Sequence, residues 1–379
     1  MKVTGIICEY NPLHLGHKKQ LDMIRASDPD GIIVCLMSGN YVQRGKPAIV
    51  DKSLRAKAAV LAGADLVLEL PVTGALSSAE GFAAEGIRIL KHFCTHLCFG
   101  AETADGDVLM ATAKALISEE FPPLLQAQLK MGLSFPAAQA KALEEMGLAS
   151  VAKPNDILAV EYCKAILRQR ADLIPVLIHR GGDYHDQMAD DENPSATAVR
   201  KLMVESGMWL DYIPEESRTC FREGKLHTLQ AGERAILSKL RTMPDSEFEK
   251  IPFGSEGLWR KFMHNARRFS NCEDILLATK SKRYTRSRLD RMLICAFLGI
   301  TGDMMNSPAP YVRLLAFNDK GRSLLRQKKE LFPVVNAGEA VDDPYWQLEK
   351  RCADLYGLFC TEAPEPPCPE ENRRVIYVR

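Results

Sequence analysis

Two histidines stand three apart around a glycine near the start of the chain, in Glu9-Tyr10-Asn11-Pro12-Leu13-His14-Leu15-Gly16-His17. The apolar run Val3–Cys8 before them reads as a short strand. The stretch from Pro12 to about Arg25 reads as a helix opened by a proline. H-x-G-H therefore falls at a strand-to-helix junction. A helix N-terminus presents N–H groups and partial positive charge to an anion, and imidazoles three apart in the first turn can point the same way. Gly16, lacking a side chain, lets a ligand approach the backbone. Such a device holds a polyphosphate while charge builds on an α-phosphate and a leaving pyrophosphate, acting through position and electrostatics. His14, Gly16 and His17 are the candidate catalytic residues.

A second element points to the same chemistry. Ser195, Thr197 and Arg200 form S-x-T-x-x-R in Asn193-Pro194-Ser195-Ala196-Thr197-Ala198-Val199-Arg200. Ser195 can cap a helix, Thr197 lies in its first turn, and Arg200 can clamp phosphate oxygens with two parallel hydrogen bonds. Other candidates carry less. Cys8, the thiol nearest the motif, sits in a strand and reads as core rather than as a covalent catalyst. His92, Cys94, His96 and Cys98 alternate, but four ligands on one face of one strand, about 6–7 Å from one to the next, cannot close a tetrahedron. No protein metal site is expected. Magnesium would accompany the polyphosphate, bound mainly by phosphate and water.

The elements that must position these residues alternate. After Val3–Cys8, strands are expected at Gly31–Met37, Asp65–Leu70, His96–Phe99 and Ile174–Ile178. Helices are expected at Lys52–Ala62, Ala79–Lys91, Ile157–Gln169 and Ser195–Glu205, with a mostly helical stretch from Val108 to Glu145. That alternation means βαβ units and a parallel sheet. Beyond about residue 210 the β-branched runs fade. Leu226–Leu240, Gly257–Phe269, Asp274–Leu277 and Arg286–Leu298 read as helices, with short strands at Val312–Phe317 and Phe332–Val335. Ala363–Pro369, with four prolines, reads as an exposed near-terminal linker. The expected architecture is α/β: a Rossmann-like parallel sheet flanked by helices over 1–210, then a mainly helical domain over 211–379. In 379 residues, 49 Lys+Arg balance 49 Asp+Glu, the 11 cysteines form no C-x-x-C, and no run reaches the roughly 20 apolar residues of a membrane span. A cytoplasmic protein without a membrane partner is expected.

Several further segments occur in order: Met37-Ser38-Gly39-Asn40-Tyr41-Val42-Gln43-Arg44-Gly45, Glu69-Leu70-Pro71, Phe99-Gly100-Ala101-Glu102, Lys153-Pro154-Asn155-Asp156-Ile157-Leu158 and Lys280-Ser281-Lys282-Arg283-Tyr284-Thr285-Arg286. With H-x-G-H and S-x-T-x-x-R they resemble the nucleotidylyltransferase superfamily, which shares its ATP site with class I aminoacyl-tRNA synthetases. Within it they resemble the bacterial tRNA(Met) cytidine acetate ligases, from residue 1 to about 300. The resemblance implies adenylation of acetate by ATP and transfer of the acetyl group to N4 of the wobble cytidine of elongator tRNA(Met). It also implies an ATP site built from Ile7, Cys8, Glu9, Tyr10, Asn11, Pro12, Leu13, His14, Leu15, Gly16, His17, Lys18, Lys19 and Gln20, with Gly100, Asn155 and the pair His179-Arg180. Leu15 fills a place that is often polar in relatives, and Gly181-Gly182-Asp183-Tyr184-His185 is a variant of the family's glycine-rich stretch.

A balanced chain would not coat nucleic acid, yet its charge is unevenly spread. Between Arg260 and Arg291 ten basic residues face Glu273, Asp274 and Asp290. Lys280, Lys282, Arg283, Arg286, Arg288 and Arg291, with Tyr284 available to stack on a base, are the candidate tRNA contacts. Trp259, Phe262 and Phe269 have the helical spacing of core. Acids elsewhere offset this segment, among them Asp190-Asp191-Glu192 and the tail residues Glu362, Glu365, Glu370 and Glu371. Two other readings stay open on the residues alone: a small-molecule nucleotidylyltransferase with no tRNA substrate, and a non-catalytic RNA-binding protein.

Overall fold

The computed structural model describes residues 1–103, 105–149, 151, 153–179, 195–205, 208–328, 330–367 and 369–379. Its centre is a sheet of β1 (Val3–Cys8), β2 (Ile32–Ser38), β5 (Leu66–Leu70), β6 (His96–Ala101), β7 (Ile174–His179), β8 (Val312–Phe317), β9 (Val334–Asn336) and β10 (Ile376–Tyr377). A separate hairpin pairs β3 (Tyr41–Val42) with β4 (Lys46–Pro47). The main order is β10-β8-β5-β2-β1-β6-β7, with β9 also on β8, and every pairing in it is parallel except β5 with β8. β1, β2 and β5 carry near-continuous buried apolar residues, as strands covered by helices on both faces must. One apolar cluster packs Val34, Leu36, Leu66 and Leu68 on one face; another packs Ile6, Ile33, Cys35 and Val67 on the other.

Strand order reverses at β1. The chain runs outward through β2 and β5, then returns to place β6 on β1's other side. In open parallel sheets the crevice at the carboxyl ends of such a pair is where ligands bind. The motif after β1 and the Gly100 segment in β6 lie together at that crevice.

Several elements differ from expectation. The first helix begins at Leu15, not Pro12; Pro12 lies in the connection, in a cis bond to Asn11, because His14 takes the cap position with extended backbone. His92 and Cys94 precede β6, leaving His96 and Cys98 on the strand, so the four do not share one strand face. Leu226–Thr228 is extended, pairing with Phe359–Thr361, and the helix there runs Glu233–Thr242.

The 211–379 half is mainly helical, its apolar core built around the helix Arg286–Leu298. It also returns β8, β9 and β10 to the N-terminal sheet, so a division at residue 210 separates the helices but not the sheet. The residues after the proline-rich linker belong to the core of the protein. Glu370 is fully buried and bonds Lys52 at 2.8 Å, and Arg373 holds Asp51 at 2.8 Å and Glu370 at 2.9 Å. Lys52 also reaches Glu69 at 2.7 Å.

Candidate active site at the carboxyl ends of the central strands

The turn from β1 into the first helix starts with Tyr10, whose φ of 44° lies in the left-handed region, a conformation costing about 1–3 kcal/mol in a bulky residue. Burial holds it there: Tyr10 sits in the core with its hydroxyl 3.4 Å from Cys35 Sγ. Asn11 then ties the turn down, its Oδ1 accepting the Ile49 amide at 2.7 Å.

His14 and His17 close the helix end on each other. The Gly16 amide donates to His14 Nδ1 at 3.1 Å, and the His14 amide donates to His17 Nδ1 at 3.3 Å, a reciprocal cap made by two imidazoles. The rings lie 3.8 Å apart, and Tyr10 meets His17 edge-on at 5.1 Å. Because each Nδ1 accepts a hydrogen bond, the ring proton of neutral imidazole falls on Nε2, which becomes the donor of each ring. This corrects the expectation about backbone groups. The amides of Gly16, His17 and Lys18 are already bonded within the cap, to His14 Nδ1 or His14 O. The imidazoles, rather than these amides, are the candidate anion donors. No acidic residue occupies the first turn. The role of Gly16 also sharpens, since a Cβ there would stand 3.0 Å from His14 Cε1 and push the ring.

Arg200 reaches this turn from the helix Ala196–Glu205, which Ser195 caps through its Oγ and the Ala198 amide at 3.1 Å. Arg200 donates to the Asn11 carbonyl at 2.5 Å and to Thr197 Oγ1 at 3.0 Å, so S-x-T-x-x-R and H-x-G-H are physically joined. Glu9 accepts the Gln43 amide at 2.7 Å; burial raises its carboxyl above the usual range, against the pull of Arg200, Arg55 and Arg44.

Gly100 and His179 lie side by side at the ends of β6 and β7, where Ala101 is in register with His179. Arg180 and the 181–185 segment lie outside the described residues. Asn155 opens the helix Pro154–Arg168 and is held by Glu102: its Nδ2 donates to Oε1 at 2.7 Å, and the Asp156 amide donates to Oε2 at 3.0 Å. Asp156 in turn accepts the Thr103 amide at 2.8 Å. The sequence reading gave Glu102 and Asp156 no role; about fifty residues separate the two sides, and nothing local announces the pairing.

Not every residue from Ile7 to Gln20 offers its side chain. Tyr10 and Leu13 are buried, and Cys8 is buried with its thiol pushed well up by burial, so it is no nucleophile. Lys18 pairs with Asp22 and lies 3.8 Å from Glu216, Lys19 is exposed, and Gln20 donates to Cys98 Sγ at 3.6 Å.

The basic segment is less available than its count suggests. Arg291 is buried, lies over Phe253 and donates to the Gln43 carbonyl at 3.4 Å. Arg286 grips Glu273 with two bonds of 2.6 Å and reaches Asp290 at 2.9 Å, and Arg288 donates to the Phe253 carbonyl at 2.7 Å. These three build the helical region, because in a folded chain basic side chains are drawn first to nearby carbonyls and carboxylates. Tyr284 carries Arg288 over its ring and donates to Glu256 at 3.1 Å. Lys280 and Lys282 are exposed and line a surface depression of about 570 Å³, and Arg283, also exposed, pairs with Glu256 at 2.7 Å. Arg241, Arg267 and Arg268 line a second of about 290 Å³.

Comparison with known proteins places this geometry. A family model described as HIGH Nucleotidyl Transferase matches residues 1–367. The chain is 35% identical to a Clostridium perfringens protein named tRNA(Met) cytidine acetate ligase, over 95% of this chain and 96% of that one. It is 34% identical to one of the same name from Clostridium acetobutylicum, over 100% of both. Its fold matches the crystal structure of apo Thermotoga maritima TmcAL with a TM-score of 0.91 at 30% identity, over 100% of both chains. A second crystal structure, of T. maritima TmcAL bound with alpha-thio ATP, matches with a TM-score of 0.88 at 31% identity, again over 100% of both.

Proposed function

Since this chain belongs to the HIGH nucleotidyl transferase family, among the tRNA(Met) cytidine acetate ligases, we propose that it is a tRNA-modifying ligase that activates acetate with ATP. The acetyl group then passes to N4 of the wobble cytidine of elongator tRNA(Met), forming N4-acetylcytidine. The observation that carries this reading is the reciprocal His14–His17 cap at the β1–β6 switch point.

In the first step an acetate oxygen attacks the α-phosphorus of ATP and pyrophosphate departs. The Nε2–H groups of His14 and His17 stabilise negative charge gathering on the phosphates, in a site where the donors are already oriented. Arg200 adds positive charge beside Asn11, and Ser195 and Thr197 hold the helix that delivers it. The ends of β6 and the Pro154–Arg168 helix, joined by Glu102 and Asn155, form the opposite wall, at Gly100. Among the described residues, Glu9, Glu102 and Asp156 are engaged with backbone amides and form no ready carboxylate cage for a divalent ion. Magnesium fits as an ion carried in by the triphosphate, held by its oxygens and water, where it neutralises phosphate charge.

In the second step the cytidine amine attacks the acetyl carbon of acetyl-AMP, and AMP leaves with the anhydride oxygen. No side-chain nucleophile is needed, in keeping with the buried thiol of Cys8. Lys280, Lys282 and Arg283 hold the tRNA backbone from the helical side. The reaction takes place in the cytoplasm, where charged pools of tRNA and ATP meet; no described helix is long and apolar enough to cross a membrane.

The test is acetate-dependent exchange of labelled pyrophosphate into ATP, followed by mass analysis of tRNA nucleosides after incubation with ATP and acetate. Exchange is expected in the native protein and N4-acetylcytidine in its tRNA product. Absence of exchange with acetate or any other small carboxylate would sink the adenylation step.

A further inference from the structure

Behind the candidate site, His227, Cys360 and Glu365 bring one nitrogen, one sulfur and one oxygen within 4.8 Å of one another. They come from two distant stretches that the backbone joins. The Thr228 amide donates to the Phe359 carbonyl at 2.9 Å and the Thr361 amide to the Leu226 carbonyl at 2.8 Å, on either side of the antiparallel His227–Cys360 bridge. That pattern makes His227 and Cys360 a non-hydrogen-bonded pair, the kind whose side chains stand closest. The loop then folds back: the Glu365 amide donates to the Gly357 carbonyl at 3.0 Å, and Gly357 has no side chain because a Cβ would meet the Glu365 Cβ at 3.1 Å.

The imidazole is set for ligation. Lys225 O can only accept, so the contact of 3.1 Å puts a proton on His227 Nδ1 and turns Nε2 toward the other two groups. The ring is fixed flat against Tyr356 at 4.0 Å. Glu365 Oε2 lies 3.0 Å from Nε2, while Oε1 pairs with Lys225 at 3.0 Å. His227 and Cys360 are buried, whereas the Glu365 side chain is 26% exposed, leaving a solvent side for a fourth ligand.

We propose that His227 Nε2, Cys360 Sγ and Glu365 Oε2 form a zinc site, with water completing a tetrahedron. A mixed N, S, O set suits a borderline cation such as Zn²⁺ and does not suit Mg²⁺ or Ca²⁺. The metal takes the place of the proton between Nε2 and Oε2 and of the Cys360 thiol proton; both protons are released to solvent on binding. The thiolate and the carboxylate balance the charge of the ion, and Oε1 keeps Lys225. His227 N donates to Ile49 O at 2.9 Å, and the amide of Ile49 is the one held by Asn11, so the clip stiffens the backing of the H-x-G-H turn.

The plainer alternative is a metal-free Lys225–Glu365–His227 ion network, in which Cys360 has no part. The experiment uses the full chain, stripped with chelator. Zn²⁺ is titrated against a chromophoric chelator, and Co²⁺ is substituted to report thiolate ligation by its near-ultraviolet charge-transfer band. One equivalent of tight zinc, a cobalt–thiolate band and a raised melting midpoint are expected. All three should be lost in Cys360→Ser and weakened in the partly exposed Glu365→Gln, which keeps the test open should the first variant misfold. His17→Ala should bind zinc as the native chain does. No stoichiometric zinc, or binding retained in both Cys360→Ser and Glu365→Gln, would overturn the site; binding lost in His17→Ala would move it to the H-x-G-H pair.

Discussion

The proposed chemistry depends on where two ring protons sit. Both Nδ1 atoms of the histidine pair accept backbone amides, which leaves Nε2–H as the working donor of each ring. His17→Ala should therefore lower acetate-dependent exchange on the order of 10²–10³-fold, as loss of a preorganised donor does, while the melting temperature moves by only a few degrees. Gly16→Ala tests the same point without replacing either ring. Its Cβ would press on His14 Cε1 at 3.0 Å, so kcat/KM should fall about 10- to 100-fold, with stability changed by less than about 1 kcal/mol in urea unfolding. The H-x-G-H spacing announced a phosphate device, and its position after the first strand is as expected. The sequence could not show that the histidines cap their own helix, because that depends on ring orientation, and spacing carries no information about it. Glu102 and Asp156 were hidden for a related reason: each is an ordinary acid until the fold brings β6 against the Pro154–Arg168 helix.

At the scale of elements, the hairpin β3–β4 couples the halves of the chain. Gly45, with φ of +70°, packs so closely on the Arg286–Leu298 helix that a Cβ would stand 2.4 Å from the Arg291 amide. Gly45→Ala should destabilise the protein by about 2 kcal/mol or more and lower acetyl transfer, read by thermal melting and by nucleoside analysis together. The buried charges around Lys52 give a pH signature. Burial by itself would raise Asp51 and Glu370; Arg373 beside Asp51, and Lys52 and Arg373 beside Glu370, override it and hold both carboxyls below their ordinary values. Stability from such groups is fully present above the unfolded values near 4 and is lost as the pH falls through the folded ones. Glu370→Gln should cost about 3–5 kcal/mol at pH 7, because it strips a partner from Lys52 and Arg373, and should flatten the acid limb of the stability curve below about pH 4. The strand and helix positions of the first half follow from apolar periodicity and lie within a few residues of expectation. The last strand did not: Ile376–Tyr377 is two residues long, and only its place beside β8 makes it a strand.

Across the whole molecule, a charge balance of 49 against 49 hides a division of labour. Arg286, Arg288 and Arg291 are committed inside the helical region, and Glu370, grouped from sequence with the tail acids, is buried. The proposed tRNA contact rests on a small exposed set, Lys280, Lys282 and Arg283, of which Arg283 also pairs with Glu256. Replacing Lys280, Lys282 and Arg283 together by Ala should leave pyrophosphate exchange intact and raise the KM for tRNA. It should also lessen the salt slope of tRNA binding by about 1 for each phosphate no longer neutralised. Unchanged tRNA turnover would instead favour a small-molecule substrate. The α/β class and the helical second half were both legible in the pattern of apolar residues. The closing of the sheet by β8, β9 and β10 was not, since pairing between residues some 250 apart leaves no local trace.

That pairing also sets a timetable. β5 is buried along its length only once β8 lies against it, and about 240 residues of chain separate the two. At the roughly 5–20 residues per second of protein synthesis, an apolar sheet edge stays open for about 10–50 s on every nascent chain. The growing polypeptide is thus a natural client for a chaperone during that interval, and slow decoding between residues 70 and 312 would lengthen its exposure to sticking.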